Sequence, residues 1–261
     1  MPLKPLRPIR TPSSERLDDQ TVRVRGGKEV TIPRARPWPE VYDYLATHWR
    51  VGQHMSLVGM PGSGKTTFAR EALLLRDWVV VFGTKARDPD LYQQFQRQGY
   101  VLKTSWSPFD TSNPRVIFAP PLPDPSARGR AIQAEAFRKV LMELFQITQG
   151  NWTVYADEIR YLTDNLKLST EWETLELQGR SLGVTLVTST QRPRRVPREI
   201  FAAAEWHGFW RISNVEDRNA ASELIGGQSI TAREAMAILP RHEMLLVNSV
   251  TDDALRTKVY T

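Results

Sequence analysis

The sequence predicts an α/β fold, with a central, mostly parallel sheet flanked by helices. Three observations predict it. Continuous apolar runs such as residues 78–82 read as strands buried on both faces. These runs alternate with segments of helical periodicity, the pattern of parallel strands joined by right-handed crossovers. One strand-to-helix junction, residues 53–68 (QHMSLVGMPGSGKTTF), carries a glycine-rich turn of the kind that wraps phosphate.

The elements follow in order. Residues 1–20 are rich in Pro and Arg, then Ser and Asp, and read as an extended arm. Residues 21–32 alternate around Gly26-Gly27, a hairpin signal. Such a hairpin is not stable alone, so it should dock on the main domain or on a neighbouring subunit. Pro37-Trp38-Pro39 then punctuates the chain, dividing an arm and hairpin (1–37) from one large domain (38–261). Residues 40–50 read as a helix, 55–58 as a strand and 67–75 as a helix. Strands are expected at 78–82, 115–118, 152–156, 184–188 and 206–212. Helices are expected at 90–98, 131–149, 171–181 and 215–225, the last closed by Gly226-Gly227. Residues 244–247 and 255–260 read as a terminal pair of strands.

Composition narrows the function. A hydrophobic content of 41% and a charged content of 25% are those of an ordinary folded protein. No apolar run approaches the roughly 18 residues of a membrane span, and the N-terminus lacks the apolar core of a secretory signal. The absence of cysteine excludes disulfides and thiolate metal sites, and four scattered His offer no ligand spacing. The expected location is cytoplasmic. Net charge is +6, and residues 1–37 hold nine Lys or Arg against four Asp or Glu. That balance favours a polyanionic partner.

The chemistry begins at Gly59, Met60, Pro61, Gly62, Ser63, Gly64, Lys65 and Thr66, the pattern G-x-x-x-x-G-K-[ST] between a strand and a helix. Its glycines let successive N–H groups turn inward around a phosphate chain. The helix that starts at Lys65, Thr66 and Thr67 adds the positive end of its dipole. Lys65 is placed to reach the β- and γ-phosphates, and the Thr66 hydroxyl to ligate Mg²⁺. ATP and Mg²⁺ are therefore the expected cofactors.

A second motif is an apolar strand that ends in Asp157-Glu158. Two carboxylates at a strand end repel each other and lose solvation, which Mg²⁺ near Asp157 would offset. Glu158 would then orient or deprotonate an attacking water. The pair points to hydrolysis rather than transfer to a small molecule. A GTPase would need N-K-x-D or T-K-x-D after the acidic strand. Residues 84–88 (TKARD) have one residue too many and precede it.

A third stretch, residues 179–193 (GRSLGVTLVTSTQRP), resembles the FtsK/HerA group of ring ATPases, whose fourth core strand ends in a T-Q-R-P-like sequence. Here Thr190-Gln191-Arg192-Pro193 follows Arg180 and Gly183, and residues 210–218 match the group's strand-then-acidic-helix segment. The resemblance spans about residues 50–250 and implies a RecA/FtsK–HerA-like P-loop NTPase fold. It implies that Gln191 reports on the γ-phosphate. It implies that Arg180 is an arginine finger reaching the next subunit's nucleotide, in a homo-oligomeric ring of five or six. A finger contributes about 10³–10⁵ in rate. Arg192, Arg194, Arg195 and Arg198 could face a double-stranded DNA channel or be a solvated face. The chain is short for the group, with no spanning helices, large N-terminal barrel or C-terminal nuclease. That brevity is similar to the packaging ATPases of tectivirus-like viruses. It implies a capsid portal or vertex protein as a possible partner, and the host cytoplasm or virion as the place of action. The alternatives are a helicase or conjugation-type pump of the same group, or an assembly or secretion ATPase of the filamentous-phage kind.

Overall fold

In a computed structural model of the chain, residues 19–23, 29–85, 88–147, 150–196, 198–223, 225 and 229–259 are described. Residues 1–18 of the proposed arm (1–20), the Gly26-Gly27 turn, Gly226-Gly227 and Tyr260 lie outside them, while Asp19 and Gln20 open a strand.

The strand that feeds the glycine-rich turn, His54–Val58, sits inside a ten-stranded sheet. In chain order the strands are β1 (Asp19–Arg23), β2 (Glu29–Pro33), β3 (Ala35–Arg36), β4 (His54–Val58), β5 (Trp78–Phe82) and β6 (Val101–Lys103). They continue with β7 (Arg115–Phe118), β8 (Trp152–Ala156), β9 (Thr185–Thr190), β10 (Ala204–Trp210), β11 (Glu243–Asn248) and β12 (Ala254–Lys258). The large sheet runs β3-β12-β11-β10-β4-β9-β8-β5-β7-β6. From β10 to β6 every pairing is parallel, and β11 alone is antiparallel to both neighbours. β8 and β9 are buried at every residue, as parallel strands covered on both faces must be.

The helices are α1 (Trp38–His48), α2 (Lys65–Ala72), α3 (Pro89–Gln96), α4 (Ala127–Gln146), α5 (Ser169–Leu182), α6 (Arg198–Ala202), α7 (Val215–Ser222) and α8 (Ser229–Ile238). Local signals start several of them. The Asp88 carboxylate accepts from Leu91 N ahead of Pro89, the Ser126 hydroxyl accepts from Gly129 N, and the Asn214 side chain accepts from Asp217 N. Alternate strand residues feed two apolar layers. Val41, Leu45, Phe68, Leu91 and Phe95 of α1–α3 pack with Met55, Leu57 and Tyr155 on one face. Phe137, Leu141, Trp172, Ile200 and Met236 of α4, α5, α6 and α8 pack with Val58, Val154 and Phe209 on the other.

β1 and β2 pair antiparallel, with Val22 opposite Val30. The hairpin docks on its own chain: Val30 and Ile32 are buried in the layer that holds α8. β3, β6, α6 and α8 are absent from the sequence expectation. Two- and three-residue strands give no periodicity, and α8 buries an alanine-rich stripe (Ala232, Ala235) that composition does not mark as core.

Candidate active site

β4, β9 and β8 are neighbours, with Val58 opposite Thr190 and Thr188 opposite Ala156. Their C-terminal ends therefore bring the glycine-rich loop, Gln191 and Asp157-Glu158 to one edge of the sheet, although about 90 and 125 residues of chain separate them. Ligand sites in open α/β sheets form at such an edge. Gly59 N donates to Thr190 O (3.2 Å), tying the loop's first residue to β9.

Gly62 and Gly64 take φ of +67° and +110°, which L side chains rarely adopt, and so curl the loop over the start of α2. Gly59 is needed for a different reason. A Cβ there would lie 2.8 Å from Ser63 Oγ and from Trp210 Cβ. Met60 and Pro61 are exposed, and Ser63 and Thr67 are half-buried around the turn. The Lys65 ammonium is buried and donates to the carbonyls of Gly59 (2.7 Å) and Met60 (3.1 Å). Burial pushes its pKa down, and Asp157 and Glu158 push it back up.

The Thr66 hydroxyl donates to Asp157 Oδ1 at 2.9 Å, and the Tyr155 hydroxyl donates to the same oxygen at 2.6 Å. Burial first, then the Asp157 charge, raises the Tyr155 pKa well above the usual phenol range. Glu158 accepts from the Thr190 hydroxyl at 3.2 Å. Burial raises its pKa, against the Thr190 hydrogen bond and the Lys65 charge. Lys85, just past β5, feels the same acids. Burial alone would lower its pKa, but Asp88, with Asp157 and Glu158 beyond, leaves it raised.

Oxygen donors from one hydroxyl and one carboxylate fit Mg²⁺, which keeps waters and substrate phosphates as its other ligands. No group of three or more His, Asp or Glu that could form an all-protein metal cage occurs among the described residues.

Gln191 is exposed at the end of β9, beside this cluster. Arg180 is not. It lies in the last turn of α5 at the opposite edge of the sheet, where Gly52 packs against its Cα and Glu205 at the start of β10 lies 3.5 Å from its guanidinium. Its side chain is 78% exposed. Of the four clustered arginines, Arg194 pairs with Glu216 and Arg198 with Glu223 (2.9 Å). Arg192 and Arg195 are exposed and make no ion pair among the described residues.

Sequence reasoning missed Tyr155, Thr190, Lys85 and the walls beside the loop. A cavity of about 280 Å³ is bounded by Gly64, Thr67, Trp210, His242 and Lys258. A second, of about 400 Å³, runs from Met60 and Ser63 to Arg211 and Arg241. Thr190 and Lys85 stood inside stretches already quoted for other reasons, and the signal for the walls was that residues 210–218 matched a group pattern.

The fold is that of a P-loop NTPase. The structure is similar to the genome-packaging NTPase B204 of Sulfolobus turreted icosahedral virus 2 (15% identity, TM-score 0.60, 80% of this chain and 97% of that one). It is similar to VirB4 of Thermoanaerobacter pseudethanolicus (11%, 0.60, 80% and 89%). It is also similar to the conjugation coupling protein TcpA of pCW3 (12%, 0.52, 93% and 65%). B204 has been solved with AMPPCP and with ATP-γS, and TcpA with ATPγS. At these identities the likeness establishes the fold. Neither a family model nor a curated protein matches the sequence. No helix among the described residues is long and apolar enough to cross a membrane.

Proposed function

We propose that this chain is an ATPase of the FtsK/HerA type that assembles as a homo-oligomeric ring and moves double-stranded DNA, in the manner of a viral genome-packaging motor. One observation carries the reading. The glycine-rich loop, Asp157-Glu158 and Gln191 converge on one edge of three adjacent strands, in a fold shared with a packaging NTPase.

In this reading the backbone N–H groups of residues 59–67 and the buried Lys65 bind and orient the triphosphate of ATP. Thr66 and Asp157 would hold Mg²⁺, which when bound would supply charge neutralisation at the transferring phosphoryl group. Glu158, kept close to Thr190 and raised by burial, takes the proton of the attacking water. Gln191 hydrogen-bonds the γ-phosphate or that water and passes the change to Arg192 and Pro193 next to it. Arg180, exposed at the far edge, serves a neighbouring subunit's site. Arg192 and Arg195 are the two of the four clustered arginines that make no ion pair among the described residues, and they face DNA.

ATP turnover measured with and without duplex DNA, across a salt series, tests this. A translocase shows DNA-stimulated turnover and binding that weakens steeply with salt. Turnover indifferent to DNA would sink the DNA motor and favour a secretion or assembly ATPase.

A further inference from the structure

We propose that the Tyr155 hydroxyl is a positioning group for Asp157, fixing the carboxylate that holds the divalent cation. The inference rests on the reading of Asp157 as a cation ligand. Tyr155 lies two residues before Asp157; its ring sits in the apolar layer that α2 joins, and Thr66 of α2 meets Asp157 on the same side. Asp157 Oδ1 takes two hydrogen bonds, from Tyr155 at 2.6 Å on its own strand and from Thr66 at 2.9 Å across the site. Asp157 is only half-buried, just past the end of β8, so packing alone does not hold it. With Oδ1 pinned from two sides, the other oxygen is presented to the cation in one orientation.

The donor is itself well held. Tyr155 is fully buried, and its ring packs on Phe95 of α3 with centroids 6.0 Å apart. A fixed donor behind a half-exposed carboxylate is how a supporting shell tunes a metal ligand, and losing such a partner commonly weakens metal binding about 10–100-fold. The competing account is purely structural: a buried phenol needs an acceptor, and Asp157 supplies one.

A double-mutant cycle separates the two. Wild type, Tyr155→Phe, Asp157→Asn and the double variant are titrated with Mn²⁺ in the presence of ADP and followed by electron paramagnetic resonance. ADP binding without metal, which should be equal in wild type and Tyr155→Phe, reports that the fold is intact. The expected result is roughly tenfold weaker Mn²⁺ binding in Tyr155→Phe and no further loss when Tyr155→Phe is added to Asp157→Asn. The metal dependence of turnover should shift with it, with kcat recovering at saturating Mg²⁺. Unchanged Mn²⁺ affinity in Tyr155→Phe, or the same loss in both backgrounds, overturns the proposal. If Asp157→Asn itself leaves Mn²⁺ affinity unaltered, the reading of Asp157 as a cation ligand has failed, and the role of Tyr155 falls with it.

Discussion

Ionisable side chains gather at both ends of the central strands β4, β9 and β8, and the two ends differ. At the C-terminal end Lys65, Asp157 and Glu158 converge, each shifting or facing the charge of the others. At the N-terminal end the buried groups are neutral. Burial lifts Glu176 to about 9, so its carboxyl is protonated at neutral pH, with Trp172 Nε1 donating to it at 3.1 Å. Burial lowers the His54 pKa. Its Nδ1 accepts from Leu186 N (3.0 Å), which leaves Nε2 to donate to Glu176 O (2.9 Å). Burial of a polar side chain therefore does not mark a site. The candidate site is set apart by ionisable groups kept in mutual reach beside the glycine-rich loop.

The largest effect expected is from Lys65→Ala, which should abolish ATP turnover. Full turnover would show that the charged end is no more functional than the neutral one. Arg180→Ala could break the contrast from the other side. As a finger acting on a neighbour, its loss should cost about 10³-fold or more and should poison rings when mixed with wild type. A loss strictly proportional to the mutant fraction would return Arg180 to an exposed ion pair with Glu205, worth little.

Glu158→Gln should lower turnover about 10²–10⁴-fold while ATP stays bound, measurable by nucleotide retention on a gel-filtration column. Because burial raises its pKa, wild-type turnover should fall as pH drops through a value above that of an exposed glutamate. An acid limb no higher than the ordinary carboxylate range would point to a different base.

The smallest effect sharpens the neutral end. The Glu176 carboxyl stays protonated in the fold up to about 9, whereas in the unfolded chain it ionises in the ordinary carboxylate range. Its contribution to stability is thus fully present at acid pH and is lost as pH rises towards 9. Glu176→Gln keeps an acceptor for Trp172 and should stabilise the fold at pH 7 by on the order of 1–3 kcal/mol. Urea unfolding at pH 5, 7 and 9 measures this. Parallel curves for the two proteins would mean that Glu176 is ionised in the fold.

Much of this was legible in the chain. The loop, the helix behind it and the strand ending in Asp157-Glu158 are contiguous patterns, and the apolar runs of β5, β8 and β9 needed no partner to be read. The hairpin's docking was foreseen only as a choice between its own domain and a neighbour, because Val30 and Ile32 do not say which surface buries them. β3 and β6 are too short to carry a period. Tyr155 looked like one more apolar strand residue, since its hydrogen bond depends on where β8 ends relative to α2. The cavity beside Thr67 is assembled from Trp210, His242 and Lys258, whose separations carry no spacing.

The sequence by itself determined the parts that are made by neighbouring residues: the turn that needs glycine torsions, the helix that follows it, and the acids at a strand's end. Only the tertiary structure decided that β9 lies between β4 and β8, that Arg180 stands at the far edge from Lys65, and which carboxyls are charged. The reason is physical. Torsions and periodicity are set along the chain, whereas burial and Coulomb interactions are set by which distant residues come within a few ångströms of one another.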